Sequence, residues 1–305
     1  MALFERISEL EIGQSGGKGI LIKDLRFSFN IEKTSSETLN NSKVKIYNLN
    51  RESRKLIEIP NNVVILRAGY IQDSGAIQIF TGSVRRALTS REGVDWVTDI
   101  ELDDGLLAYR DSKVSISFAP GVTGSNVLAN IASRFNLPVK TLPNDIPNKQ
   151  YPSGFSFVGR VRDAMTKVCD YLGLEWSIQN QEVQVIKKGG TLRNTAILIS
   201  PDSGLIGSPT LEAKTMTDKD AAKRGINTDM KGVIKRTSEK DDGIKQRLEI
   251  QGFKVKTLLQ PSLQCGQIVK LKAEGIDDFL KIEKLNHVGD YYGSDWYTEL
   301  SLRFI

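Results

Sequence analysis

The feature that most limits how this chain can fold is a rhythm: short stretches of alternating apolar and polar residues, cut by turn residues, recur from Ile20 to about Tyr109. "ILIKDLRFSFNIEK" sets Leu25, Phe27 and Phe29 on one side and Arg26 and Ser28 on the other. An extended chain points successive side chains to opposite faces, so this alternation predicts a strand with one buried face. "SKVKIYNL" repeats the pattern, and "NNVVILRAGY" is rich in the β-branched residues that suit a buried strand. The "RESRKLIEI" stretch between them is short, polar and helix-tolerant. An Asp73-Ser74-Gly75 turn leads into "AIQIFTGSVRRALTS", and Arg91-Glu92-Gly93 turns into "VDWVTDIELDD". Many short strands at turn-punctuated spacing predict a barrel or sandwich rather than a parallel sheet.

The texture changes between about Ser112 and Gly190. After "SKVSISFAPG", Ser125 is an expected N-cap for a helix that aligns Val127, Leu128, Ile131 and Phe135, with Pro138 marking its end. A second helix over "GRVRDAMTKVCDYLG" aligns Val161, Met165, Val168 and Leu172 and stops at Gly173. "LEWSIQNQEVQVIKK" then predicts a hairpin turning at Asn180-Gln181. Beyond Gly189-Gly190 the strands return, in "NTAILISPDSGLIGSPTLEAKT", "RLEIQGFKVKTLL", "GQIVKLKA", "DFLKIEKLNHV" and "SDWYTELSLRF". Residues 215–246 carry charges of both signs with few apolar anchors, which predicts a long polar loop or mobile hairpin. A chain of 305 residues is too long for one small core. The expectation is therefore a mainly β protein with an α/β insert: a first β-barrel over 1–111, a small α/β domain over 112–190, and a second β-barrel over 191–305.

Chemistry is sparse. The only histidine, His287, lies near Asp290 and Asp295, the one pattern that would suit a general base, as in a cell-wall hydrolase. No GxSxG motif accompanies it, and aspartate beside glycine also suits turns, so the expectation is a strand residue followed by a hairpin. The pairs Asp103-Asp104, Asp241-Asp242 and Asp277-Asp278 fall beside glycines or at strand junctions and match no calcium-loop spacing. Cys169 and Cys265, with one histidine, cannot complete a four-ligand zinc site. "GQSGGKG" lacks the Ser or Thr of a phosphate loop and feeds a strand, so a hairpin turn is expected; "GVTGSN" reads as a helix entry. No catalytic residue, metal or cofactor is expected.

The 42 basic and 37 acidic residues give +5, short of the concentrated footprint of a dedicated nucleic-acid binder. Arg85, Arg86, Lys231, Lys235 and Arg236 are candidates for a channel or interface surface, with a solvated face as the plain alternative and a nucleic-acid-binding barrel as the other. The first residues carry Glu5, Arg6 and Glu9 where a signal peptide needs an apolar core, and no stretch reaches the roughly 20 apolar residues of a membrane span. Folding in a reducing cytoplasm, without membrane insertion, is expected.

Three stretches carry a resemblance. They are "VKIYNLNRESRKLIEIPNNVVILRAGYIQDSGAIQIFTGSVRRAL", "APGVTGSNVLANIASRFNLPV", and "FKVKTLLQPSLQCGQIVKLKA" with "FLKIEKLNHVGDYYGSDWYTELSL". In this order the chain resembles the baseplate hub proteins of contractile-tailed bacteriophages, the late-control-D-like family. Where that family often has Asn-Pro and Pro-Gly, this chain has Gln260-Pro261 and Cys265-Gly266, and the resemblance does not cover Thr215 to Gln246. It implies a structural virion protein of the tail baseplate, assembled in the host cytoplasm: a homotrimeric ring of tail-tube-like barrels. The ring would join the tail tube above to the central spike below, contact other baseplate proteins, and let DNA pass without specific binding. The family's associated lysozyme domain has no counterpart here.

Overall fold

In the computed structural model the described residues are 5–14, 16–35, 40–73, 75–141, 143, 146–192, 195–217, 233–238 and 246–305; the side chains at 106, 107, 140, 141 and 214–250 lie outside that description. The chain opens with β1 (Arg6–Gly13), β2 (Gly19–Ile22), β3 (Phe27–Thr34), β4 (Asn41–Tyr47), α1 (Arg51–Ile57), β5 (Val63–Tyr70), β6 (Gly75–Glu92) and β7 (Asp95–Asp103). The alternation works as expected in β3, where Phe27, Phe29 and Ile31 are buried. The stretch around it is not one strand, because it bends between Ile22 and Phe27. "GQSGGKG" makes the β1–β2 turn, with Gly13 facing Gly19 and the Gln14 amide donating to the Lys18 carbonyl at 3.1 Å.

The middle stretch holds α2 (Leu106–Asp111), β8 (Lys113–Phe118), β9 (Val122–Thr123), α3 (Gly124–Ser133), β10 (Val139–Thr141), β11 (Gln150–Tyr151), β12 (Phe155–Arg160), α4 (Val161–Leu172), β13 (Leu174–Gln179) and β14 (Glu182–Lys187). Both helices bury the faces read from their 3.6-residue period. Thr123, not Ser125, caps α3: its side chain accepts from the Asn126 amide. Ser125 is already inside the helix, where its hydroxyl donates to Thr123 at 3.2 Å. Gly173 closes α4 at φ 70°, and Asn180 and Gln181 turn the β13–β14 hairpin at φ 54° and 60°, the left-handed pair that matches strand twist. The remaining elements are β15 (Ala196–Ile199), a 3₁₀ turn (Pro201–Ser203), β16 (Leu205–Thr217), β17 (Val233–Ser238), β18 (Gln246–Leu258), β19 (Ile268–Ala273), β20 (Ile276–Asp290) and β21 (Trp296–Phe304). The long polar loop expected over 215–246 is partly strand: β16 runs into it, and β17 inside it pairs with β18. Residues 218–232 and 239–245 lie outside the described residues.

Apolar side chains collect in three clusters, one in each β-rich block and one in the insert. The two β-rich blocks are hydrogen-bonded to each other, and no closed barrel forms among the described residues. Their strands form one open 14-stranded sheet, in the order β16-β18-β21-β20-β3-β4-β7-β6-β5-β1-β2, with β15, β17 and β19 off that path. The join is β3 against β20, from Ser28 opposite Asp290 to Thr34 opposite Lys284. Edges that a closed barrel would pair with itself are used here to pair the blocks, so among the described residues the strand order does not close.

That join is tight. Gly289 faces Phe29, and a Cβ there would stand 2.3 Å from the Phe29 ring. Gly289→Ala should therefore destabilise the protein by about 1–3 kcal/mol, as overpacking does, read as a lower urea midpoint. Gly275→Ala gives the cost of backbone strain without overpacking, because its Cβ would meet nothing within 4 Å but its φ is 75°.

Candidate channel and interface surface

Strands β18, β21, β20, β3, β4, β7 and β6 lie side by side, and their outward residues form one polar face across both blocks. Residues directly opposite in a ladder share a face. Lys256 stands opposite Glu299, Glu299 opposite Asn286, and Asn286 opposite Glu32. Further along, Asn30 faces Lys43, Lys43 faces Glu101, and Glu101 faces Arg86. Opposite charges meet in pairs: Lys284 with Glu32, Lys45 with Asp99 at 3.2 Å, Arg85 with Glu101 at 2.6 Å. Because these pairs are exposed they add little stability; what they do is spread alternating charge over the face.

Arg85 and Arg86 are both exposed because the ladder slips between Val84 and Arg86, a β-bulge that puts two adjacent side chains outward. Arg85 also reaches Asp103 at 3.7 Å, and Glu101 sits below the usual carboxylate range chiefly through the Arg85 hydrogen bond. Lys231 lies outside the described residues. Lys235 and Arg236 belong to β17, and their side chains lie outside the description. The face therefore brings two of the five expected basic residues together. Its larger lattice of lysines and glutamates was missed in the sequence, although the outward positions of each alternating strand carried it.

Over the β18–β20 part of this face, where β16 bulges away from β18 between Ile206 and Thr210, lies an open cleft of about 580 Å³. Lys254, Lys284, Glu212 and Glu299 are among its lining residues.

His287 is not part of any exposed site. It is 1 % exposed on β20, directly opposite Thr298, whose Oγ1 lies 2.9 Å from its Nδ1. Burial holds the ring neutral and pulls its pKa down to about 3. Asp290 is a turn residue: its Oδ1 accepts from the Tyr292 and Gly293 amides, and its Oδ2 accepts from Arg26 at 2.8 Å. Asp295 accepts the Asp290 amide through its backbone carbonyl. A depressed folded-state pKa means that the unfolded chain binds the extra proton, so His287 should cost stability as pH falls from about 6.5 towards 3. Unfolding at pH 7 and pH 4.5 should show a loss on acidification that His287→Gln reduces.

Asp104, buried like its neighbour Asp103, fixes the insert. Its Oδ2 accepts from the Asn180 amide at 2.7 Å and its Oδ1 from the Gln181 amide at 2.6 Å. Lys33 donates to Asn180 Oδ1 at 2.8 Å, and Gln179 donates to the Thr34 carbonyl at 2.6 Å. Burial pushes the Asp104 carboxyl up, against the opposing pull of Lys33 and the two amides. Asp277 pairs with Lys270 at 3.2 Å, and Asp241-Asp242 lies outside the described residues.

No family model matches the chain, and no curated protein matches its sequence. Solved structures do. The 43 kDa tail protein of prophage MuSo2 from Shewanella oneidensis superposes with a TM-score of 0.63 at 10 % identity, over 98 % of each chain. The tail protein from Neisseria meningitidis MC58 gives 0.60 at 11 %, over 98 % of this chain and 97 % of that one. The chain shares the fold of these two tail proteins. An E. coli component of the type VI secretion system, described as similar to the T4 tail proteins gp27 and gp5, also superposes, with a TM-score of 0.51 at 10 % identity over 97 % of this chain and 77 % of that one. Within this fold the polar face is a property of both β-rich blocks together, since β20 and β3 meet at its centre.

Proposed function

We propose that the protein is a structural component of a phage tail, the hub of its baseplate. In this reading three copies form a ring that joins the tail tube on one side to the central spike on the other. Other baseplate proteins bind its outside, and DNA passes through its centre. The observation that carries the reading is the polar sheet face running without a break from β18 to β6. Its alternating charges give a wetted lining that does not grip a polyanion, because attraction to the lysines is offset locally by glutamates and aspartates. A surface meant to hold DNA would gather arginine and lysine without those partners. The likeness to tail proteins supports a place in the tail, and the division into two tube-like blocks around a small insert belongs to the same proposal.

Sedimentation of the full chain, with electron-microscope images of the particle, tests it. The expected result is a trimer with a threefold ring and an open centre. A monomer at all concentrations, with no affinity for a tail tube or spike, would sink the proposal. Duplex DNA at physiological salt should bind weakly and without a steep salt slope.

A further inference from the structure

Lys33 is 4 % exposed, an uncommon place for a lysine, and it meets a side chain with which it can react. It stands on β3 beside the β13–β14 hairpin, and its Nζ donates to Asn180 Oδ1 at 2.8 Å. One C=O bond of about 1.2 Å separates that oxygen from the amide carbon, so Nζ and Cγ lie within about 4 Å. Attack needs the two atoms about 3–3.5 Å apart, which a small rotation of the amide supplies. Asn180 Oδ1 also accepts from the Thr81 backbone amide at 3.3 Å. That donor sits on the atom where negative charge gathers when the carbon is attacked.

The surroundings supply the rest of the chemistry. A lysine attacks only as the neutral amine, so a neighbour must take its proton. Asp104, His287 and Cys265 all feel the Lys33 charge. His287, with its pKa pulled down to about 3, is a poor base, and the Cys265 thiol, pushed up to about 12, keeps its own proton. Asp104 remains: it is buried against the same turn, and burial pushes its carboxyl up, so it holds a proton readily. A cavity of about 10 Å³, lined by Lys33, Asn180 and Cys265 among others, adjoins both reacting groups. It has room for one molecule the size of water or ammonia. Asn180 is only partly buried, which gives such a molecule a way out.

We propose that Lys33 and Asn180 join in an isopeptide bond that staples the insert to the sheet. Lys33 passes a proton to Asp104, and the neutral amine attacks Asn180 Cγ. The Nζ–Cγ bond forms and the Cγ–Nδ2 bond breaks. The amide nitrogen leaves as ammonium, carrying the two protons that Nζ releases, one of them by way of Asp104. No oxidant or reductant takes part, and Asp104 ends as it began. The polar contacts that moor the hairpin can open one at a time; a covalent link cannot. The bond stands apart from the hub reading and depends on this junction alone.

Intact mass spectrometry of the folded full chain tests it. The wild-type chain should weigh less than its sequence dictates by one ammonia, about 17 Da. Lys33→Arg removes the nucleophile and Asp104→Asn the proton acceptor, and each variant should show the full mass of its own sequence. Trypsin should leave Lys33 uncut in the wild type and release residues 27–43 joined to residues 168–187 as one branched peptide. A folded wild-type chain of full mass overturns the proposal, and so does a loss of ammonia without that branched peptide. A linked Asp104→Asn chain overturns the part given to Asp104.

Discussion

Trp296→Ala is expected to lower stability by about 3–5 kcal/mol, the usual cost of emptying a large aromatic site, measured by urea unfolding. Trp296 is 3 % exposed. Although it begins the last strand, it lies in the core of the first block with Leu259. Its ring stands edge-on to Phe29 at 5.7 Å and to Tyr70 at 6.5 Å, and the Arg6 guanidinium lies 5.5 Å from its centre. The same Arg6 donates to the Gly293 carbonyl at 2.7 Å, so removing the indole loosens a clamp as well as a core. Trp296 Nε1 is buried with no hydrogen-bond partner among the described residues, so Trp296→Phe should retain most of the stability. Trp96→Ala, at a position 43 % exposed, is the comparison and should cost under about 1 kcal/mol. Equal losses at the two tryptophans would refute the view that Trp296 fastens the blocks.

The second large effect is Asp104→Ala, expected to cost about 3 kcal/mol. The substitution leaves the Asn180 and Gln181 amides without their acceptor, and an orphaned buried donor costs about 1–3 kcal/mol. Asp104→Asn keeps one acceptor oxygen and should cost about half as much. The separate signature is release of the insert: limited proteolysis should cut earlier near Gly189-Gly190, while β3 and β20 stay protected. A variant that loses stability without such loosening would show that Asp104 does not moor the hairpin.

These two residues also mark where the sequence is legible. Alternation exposed Phe27, Phe29 and most strand positions, and the helical period exposed the buried faces of α3 and α4, because local geometry writes a local period. The Asn180-Gln181 turn was readable for the same reason. Nothing local records which strand lies beside which, so β3 against β20 and the single open sheet could not be read. Asp104 looked like a turn residue beside Gly105; its partners lie about 75 residues away and share no motif with it. In the candidate surface, Arg85 and Arg86 were visible as a pair of charges, but the bulge that turns both outward is a property of the ladder. The short α2 and the Thr123 cap were missed because capping depends on backbone angles that neighbouring Ser, Thr and Gly residues satisfy almost equally well.

The pairing of β3 with β20 also sets an order of events during synthesis. Phe29 emerges from the ribosome early, while Gly289 and Trp296, which cover it, arrive about 260 residues later, a non-local contact that delays folding. At about 5–20 residues per second, the first block waits many seconds with its core uncovered and the β3 edge open. An incomplete chain therefore leaves that edge open to chaperones or proteases, and only a chain translated through Trp296 has the core of the first block covered.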